Sequence, residues 1–174
     1  MIRIKKATDE NIDELMGLRL ELIKEIKGLD EAYAFPQTFV ESNMKFFLSD
    51  NCTAYIAYDE EAVGCAAICY YDVLPTFDHP SGKRAHIMNV YTKKEFRRQG
   101  LASTLIYMLV DEAKEKGVTE ITLYSADSTK SLYYKNGFTD SKEGMVMDIN
   151  LLLRQNIERA QRTGCKMPSC GHCS

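Results

Sequence analysis

One turn, residues 97–102 (RRQGLA), constrains the fold of this chain more than any other segment. It follows an apolar run over 87–91 and opens a helical pattern over 102–116, so it predicts a strand, a short turn and a helix. The first amides of a helix have no partner inside it, and the helix dipole adds positive charge there. Because Gly100 lets the backbone approach an anion closely, the turn is suited to bind a pyrophosphate.

The turn matches neither of two common nucleotide-binding patterns. A Walker loop needs Gly-Lys-Ser/Thr, which does not follow Gly100, and a dinucleotide fingerprint needs three glycines where this turn has one. The turn matches instead the pattern Arg/Gln-x-x-Gly-x-Gly/Ala, with Arg97, Gly100 and Ala102 at its fixed positions. A second distinctive element, LYYKNGF, follows at 132–138.

Together the two elements resemble the acetyl-CoA loop and the LYxKxGF element of the GNAT superfamily of N-acetyltransferases. Their order, separation and intervening structure fit that superfamily, and the resemblance covers about residues 1–150, most strongly 85–149. It implies an α/β fold with a mixed, mostly antiparallel central sheet that is splayed at the acetyl-CoA site, plus a C-terminal helix.

Hydrophobic patterns along the chain predict elements in the order βααβββαβαββ. The predicted strands are 2–5, 52–58, 62–71, 83–91, 120–125, one from Phe138 and one over 145–149. The predicted helices run from Asp9 to a stop at Gly28, then over 37–49, 102–116 and 129–136. We therefore expect one domain over 1–150, followed at 151–174 by a helix and a cysteine-rich tail.

Charge and hydropathy exclude several classes of partner. The net charge of −3 and a pI of about 5.7 argue against a general nucleic-acid binder, which would be basic. No apolar run approaches the length of a membrane span, and the N-terminal segment lacks the apolar core of a signal peptide. We expect a cytoplasmic protein without a nucleic-acid or membrane partner. The sequence is compatible with a homodimer.

By the resemblance, acetyl-CoA is the co-substrate and the backbone positions it. Pantetheine would lie along residues 90–92 and the pyrophosphate on the amides of 98–103, whereas residues 127 and 128 match the position that bonds the pantetheine arm only loosely. The implied binding residues are Val90, Tyr91, Thr92, Arg97, Arg98, Gln99, Gly100, Leu101, Ala102, Ser103, Asp127 and Ser128.

Two residues are candidates for proton transfer. Tyr133 aligns with the usual tyrosine of the superfamily, and a phenol with a pKa near 10 can protonate a leaving thiolate. Alternatively, its ring simply packs in the core. His86 is the candidate general base, since an imidazole with a pKa near 6.5 suits removal of a proton from an ammonium. Alternatively, it is a half-exposed strand histidine.

The alternation of a strand places His86 and Met88 on one face and Ile87 and Asn89 on the other. A bulge near Asn89 would change that count, and Asn89 could then hold a water molecule or the substrate amine.

The acceptor site is expected between the loops 29–38 and 72–83 and the strand that carries His86. Acidic residues there would suit a cationic amine, although we favour a solvated acidic surface as the explanation. This region offers Glu25, Asp30, Glu31, Tyr33, Tyr70, Asp72 and Asp78.

The six cysteines form two groups. Cys52, Cys65 and Cys69 lie in strand-like segments and are expected to be buried small hydrophobic residues. The final segment, 165–174 (CKMPSCGHCS), is expected to be a loosely docked or disordered thiol tail. Zinc binding and dithiol redox chemistry are the alternatives for that tail, and we expect no metal at the main site.

Two functions are compatible with these features. The first is an N-acetyltransferase that moves acetyl from acetyl-CoA to a primary amine of a small molecule or peptide. Direct attack is favoured because no cysteine with a neighbouring base falls in the expected cleft. The second is a non-catalytic acetyl-CoA sensor whose cysteine-rich tail responds to metal or redox state.

Overall fold

A mixed sheet forms the centre of the structure, a computed structural model that describes residues 1–141 and Glu158. Four strands pair antiparallel in chain order, and a fifth pairs parallel to the fourth, so the predicted fold class is confirmed. The strands are β1 Arg3–Lys6, β2 Cys52–Asp59, β3 Glu61–Asp72, β4 Lys83–Thr92 and β5 Glu120–Leu123.

Four helices accompany the sheet in the described part of the chain. They are α1 Ile12–Lys27, α2 Gln37–Phe47, α3 Leu101–Glu115 and α4 Lys130–Lys135, with short 3-10 turns at Lys94–Phe96 and Asp127–Thr129. Gly28 ends α1 in the left-handed conformation, as its position in the sequence predicts.

The predicted end of the domain is only partly described. No strand begins at Phe138 within the described residues, because its amide donates to the carbonyl of Tyr133 and closes the end of α4. The strand predicted over 145–149, the helix predicted over 150–163 and the cysteine tail lie outside the described residues, apart from Glu158.

Two hydrophobic layers cover the two faces of the sheet. On one face Leu15 and Met16 of α1 pack with Ile56 of β2, and on the other Leu105 and Leu109 of α3 pack with the opposite residues of the strands. Alternate residues of β2 and β3 belong to alternate layers, since successive side chains of a strand point to opposite faces. The sheet is therefore buried on both faces at its centre.

The sheet opens at the end of β4. Pairing between β4 and β5 runs only from Arg84 with Glu120 to Ile87 with Leu123, whereas β4 itself continues to Thr92. Beyond Ile87, no strand among the described residues pairs with this edge of β4. The predicted splaying of the sheet is thus present, and it leaves a stretch of strand backbone open on one side.

A β-bulge interrupts β4 at the same place. Cys65 lies opposite Tyr91 and Ala67 opposite Met88, so two residues of β4, Asn89 and Val90, face one residue of β3. Asn89 takes the left-handed conformation with φ 57°. Strict alternation therefore fails at Asn89, whose side chain turns toward α1, while Ile87 stays in the layer beneath α3.

We predict that Gly64→Ala destabilises the fold by about 1–3 kcal/mol, because the added methyl group would overpack a tight contact. A Cβ at Gly64 of β3 would lie 2.9 Å from the carbonyl oxygen of Tyr91 and 3.4 Å from Thr92 Oγ1. Urea unfolding measures the change.

Gly17→Ala is the matched control. Gly17 is exposed within α1, and a Cβ there meets nothing within 4 Å. The control should stabilise the protein by about 0.5–1 kcal/mol, because alanine loses less backbone freedom than glycine in a helix. Equal unfolding midpoints for Gly64→Ala and the wild type would contradict the close approach of β3 to β4.

Candidate active site

A cleft of about 690 Å³ lies where β4 leaves β5, and the start of α3 and the segment 124–133 form its other walls. Most of the residues predicted to bind acetyl-CoA line this cleft. They are Val90, Tyr91, Thr92, Arg97, Arg98, Gly100, Leu101, Ala102, Ser103 and Ser128, and Tyr133 lines it too. Gln99, Asp127 and His86 are not among its lining residues.

The start of α3 presents open backbone amides to the cleft. Gly100 precedes the helix with φ 83°, and no side chain caps the helix there. Arg98 is also left-handed, with φ 61°, which shapes the turn before the glycine. The first backbone hydrogen bond of the helix runs from the amide of Thr104 to the carbonyl of Gly100. The amides of 101–103 are therefore free for an anion, and the helix dipole favours one.

Arg97 holds the turn in place. Its guanidinium donates to both carboxylate oxygens of Glu25, at 2.7 and 2.9 Å, and its Nε donates to the carbonyl of Thr92 at 2.8 Å. The hydrogen bond from Arg97 lowers the pKa of Glu25 below its usual value. Arg97 thus links α1 to the end of β4, and its charge is already matched by a carboxylate.

Thr92 adds an unsatisfied polar group to the cleft. Its hydroxyl is buried and has no hydrogen-bond partner among the described residues. Buried polar atoms normally have partners, so this hydroxyl is a candidate contact for a bound molecule. It lies in the part of β4 that has no strand on its outer edge.

Tyr133 lies on the opposite wall, in α4. Its ring meets that of Phe138 edge-on, with centroids 6.0 Å apart and an angle of 82° between the planes. Burial raises the pKa of the Tyr133 phenol above its usual value near 10. The phenol therefore carries its proton at neutral pH.

His86 lies behind the cleft wall. Its Nδ1 is 2.8 Å from Thr122 Oγ1, and its ring centroid is 5.0 Å from that of Tyr124, which lines the cleft. Burial lowers the pKa of His86 below 6.5, so the ring is neutral at neutral pH.

The remaining two predicted binding residues make other contacts. The side-chain amide of Gln99 donates to the carbonyl of Glu95 at 3.1 Å. Asp127 forms an ion pair with Lys130 at 3.3 Å, and its side chain is 97% exposed. Ser128, the next residue, lines the cleft, whereas Asp127 does not.

The structure does not assemble the predicted acidic acceptor site. Glu25 lines the cleft, but Arg97 already neutralises it. Tyr70 and Asp72 line a separate pocket with Lys83, Arg84 and neighbouring residues. The other four residues, Asp30, Glu31, Tyr33 and Asp78, line none of the three cavities described for residues 1–141. A solvated acidic surface accounts for Asp30, Glu31 and Asp78, which are exposed, while the ring of Tyr33 packs against Phe35.

A second pocket, of about 320 Å³, adjoins the cleft and contains a residue that the sequence reasoning missed. Arg19 of α1 projects into this pocket between α1, α2, β3 and β4, and the pocket shares Met88 and Asn89 with the cleft. A signal was present in the sequence. Arg19 occupies a position of the apolar stripe of α1, three and four residues after Met16 and Leu15.

The cysteines of the sheet are free thiols. Cys52 and Cys65 are buried as predicted, and Cys69 is half-buried at the wall of the second pocket. None of the three lines the cleft. No group of residues suited to hold a metal ion occurs in the described part of the chain. Among the same residues, no helix is long and apolar enough to cross a membrane.

Comparison with solved structures finds the same fold in acetyltransferases. A predicted acetyltransferase of Clostridium acetobutylicum, solved with acetyl-CoA, is 25% identical with a TM-score of 0.75, over 86% of this chain and 97% of that one. A GCN5-related N-acetyltransferase of Ralstonia eutropha is 18% identical with a TM-score of 0.72, over 86% and 99% of the two chains. Glucosamine-6-phosphate N-acetyltransferase of Arabidopsis thaliana is 17% identical with a TM-score of 0.64, over 86% and 99%.

The sequence itself matches a family model. The model of the acetyltransferase (GNAT) family covers residues 20–138, from the middle of α1 to the end of the LYYKNGF element. This span includes β2 to β5, α3, α4 and every residue that lines the cleft. Since the match extends over more than half of the chain, the protein belongs to the acetyltransferase (GNAT) family.

Proposed function

We propose that this acetyltransferase transfers the acetyl group of acetyl-CoA to a primary amine by direct attack. The observation that carries the proposal is the convergence of three features on one cleft. These are the uncapped start of α3, the open edge of β4 and the phenol of Tyr133. Acetyl-CoA supplies the acetyl group as an activated thioester.

The described residues fit acetyl-CoA as the co-substrate. The amides at the start of α3 suit the pyrophosphate, and Arg98, which lines the cleft without an ion-pair partner in the described part of the chain, adds positive charge beside them. The unpaired hydroxyl of Thr92 and the open backbone after Ile87 suit the amide groups of pantetheine. The solved Clostridium relative with acetyl-CoA supports the same co-substrate.

Amide formation needs two proton movements. The amine nitrogen bonds to the acetyl carbon, the carbon–sulfur bond breaks, the nitrogen loses a proton and the sulfur gains one. Tyr133 is suited to protonate the leaving sulfur, because its raised pKa keeps the phenol protonated at neutral pH.

His86 is suited to take the first proton. A hydrogen bond of 2.8 Å joins Nδ1 of His86 to Thr122 Oγ1 and orients the ring. In the neutral tautomer that carries its proton on Nδ1, the lone pair of Nε2 is available to accept a proton. The lowered pKa of His86 keeps the ring neutral over most of the physiological range. His86 does not line the cleft but contacts the ring of Tyr124, which does, so we propose that a water molecule carries the proton to it.

Direct attack is supported by the residues of the cleft. A route through an acetylated enzyme needs a nucleophile such as a thiolate beside the thioester. The residues that line the cleft, all of them in the described part of the chain, include no cysteine. The fold alone does not choose the amine, since solved structures that share it include one named for glucosamine-6-phosphate and one named for aminoglycosides.

We predict that Gly100→Glu weakens the binding of acetyl-CoA at least about tenfold, because it places a negative charge beside the phosphates at the helix start. Calorimetry measures the Kd. Gly117→Glu is the matched control, since Gly117 is also left-handed, with φ 74°, but follows the opposite end of α3. An equal loss of affinity in both variants would mean that strain, and not the anion site, is responsible.

Tyr133→Phe is expected to lower kcat on the order of 10²-fold or more, since a positioned acid is lost. The KM for acetyl-CoA should change little, because the ring and its packing against Phe138 remain. Steady-state kinetics with acceptor amines separate the two constants. Tyr134→Phe, one residue along and outside the cleft lining, is the control. Wild-type turnover in Tyr133→Phe would assign this residue a structural role.

The pH profile of kcat/KM tests His86. A base acts only when neutral, so the rate should rise with pH through a pKa below 6.5 and reach a plateau above it. His86→Gln should remove this limb and lower the plateau. Thr122→Val should shift the limb, because the hydrogen bond to Nδ1 is lost. An unchanged profile in His86→Gln would show that another group or water accepts the proton.

A further inference from the structure

The second pocket contains a cation for which the described part of the chain supplies no matching anion. The guanidinium of Arg19 is half-buried between α1 and the sheet, and no carboxylate of the described residues lies within ion-pair distance of it. Burial lowers the pKa of this guanidinium, although an arginine side chain stays charged in proteins. Burying a charge without a partner is costly, so the fold maintains this arrangement against a free-energy penalty.

Two side-chain amides hold the guanidinium in a fixed orientation. Arg19 Nε donates to Asn43 Oδ1 at 3.0 Å, and Nη1 donates to Asn89 Oδ1 at 3.1 Å. The amide nitrogens of both asparagines are engaged elsewhere. That of Asn43 donates to the carbonyl of Phe39 at 2.8 Å, and that of Asn89 donates to Cys65 Sγ at 3.4 Å.

This arrangement leaves donors free. A guanidinium has five N–H groups in a planar fork, and the amides use two of them. No other acceptor for Arg19 occurs among residues 1–141. A planar fork with free donors matches a carboxylate, which can accept two parallel hydrogen bonds.

The pocket is located beside the expected site of acetyl transfer. Met88 and Asn89 line both the pocket and the cleft, and Asn89 is the left-handed residue of the bulge in β4. The pocket volume of about 320 Å³ suits a small molecule. A molecule held by Arg19 would therefore lie against the wall that separates it from the cleft.

We propose that the acceptor is a small amine that also carries a carboxylate, and that Arg19 binds this carboxylate. This inference rests on the proposed acetyl transfer and specifies its substrate class. It replaces the expectation of a cationic acceptor bound by acidic residues, because only Glu25 of that set lines the cleft, and Arg97 neutralises it. The other walls of the pocket, Phe46, Phe47 and Met88 among them, are suited to the apolar part of such a molecule.

Matched acceptor pairs test the proposal. Each pair consists of an amino acid, with its amine at the α or the terminal carbon, and the alkylamine that lacks the carboxylate. Wild-type kcat/KM should favour the carboxylate-bearing member of the best pair by about 10- to 100-fold, as expected for hydrogen bonds to charged groups. Arg19→Gln should abolish this preference by lowering kcat/KM far more for the carboxylate-bearing member than for the alkylamine.

Control variants separate recognition from folding. Arg3→Gln changes an exposed arginine of β1 outside both cavities and should keep the wild-type preference. Thermal melting and the Kd for acetyl-CoA report whether Arg19→Gln is folded. Arg19→Lys keeps the charge but loses the planar fork, and should lose several-fold of the preference, so it carries the test if the glutamine variant does not fold.

Direct binding distinguishes failure of this proposal from failure of the proposed function. Calorimetry with the same amino acids and CoA-saturated protein should show binding in the wild type that Arg19→Gln lacks, even if no amine is acetylated. Three results would overturn the carboxylate assignment. These are equal use of both members of every pair, equal loss for both in Arg19→Gln, and a preference for phosphoethanolamine over every amino acid.

Discussion

The separation of β4 from β5 is the constraint on which the rest of this structure depends. The two strands pair only as far as Ile87 and Leu123, and the bulge at Asn89 and Val90 then bends β4 away. Unpaired strand backbone is unfavourable unless another molecule pairs with it. The cleft lies in this opening of the sheet, and the second pocket lies beside it, against the bulge of β4.

The opened sheet needs reinforcement at its free end, and α1 provides it. Arg97 joins Glu25 of α1 to the end of β4, and Arg19 of the same helix reaches the bulge through Asn89. Both side chains of the Arg97–Glu25 ion pair are about 40% exposed, so the pair contributes only modestly to stability. Its main effect is geometric, since it fixes the turn whose next residues present the amides of α3. One helix thus supports both the expected co-substrate site and the second pocket.

Local patterns were sufficient to predict most of the helices and strands, whereas the splayed sheet was predicted from the family resemblance. The turn at 97–102 combines a glycine, a preceding apolar run and a following helical stripe, all of which are local properties of the sequence. The face of His86 and Met88 was predictable for the same reason, because alternation is local. The conformation of Asn89 was not, because a bulge depends on how β3 and β4 align. Arg19 was missed because the sequence shows only one polar residue among apolar neighbours. Its place in a pocket depends on α2 and β4, which are distant in the sequence.

The position of Asn89 between the two cavities bears on how binding in one cavity affects binding in the other. Its side chain is part of both walls and is anchored by Arg19 on one side and Cys65 on the other. If a molecule in one cavity shifts this side chain and so changes the affinity of the other cavity for its own ligand, linkage requires the effect to be equal in both directions. The order in which two substrates bind would then alter the path but not the total free energy of the ternary complex.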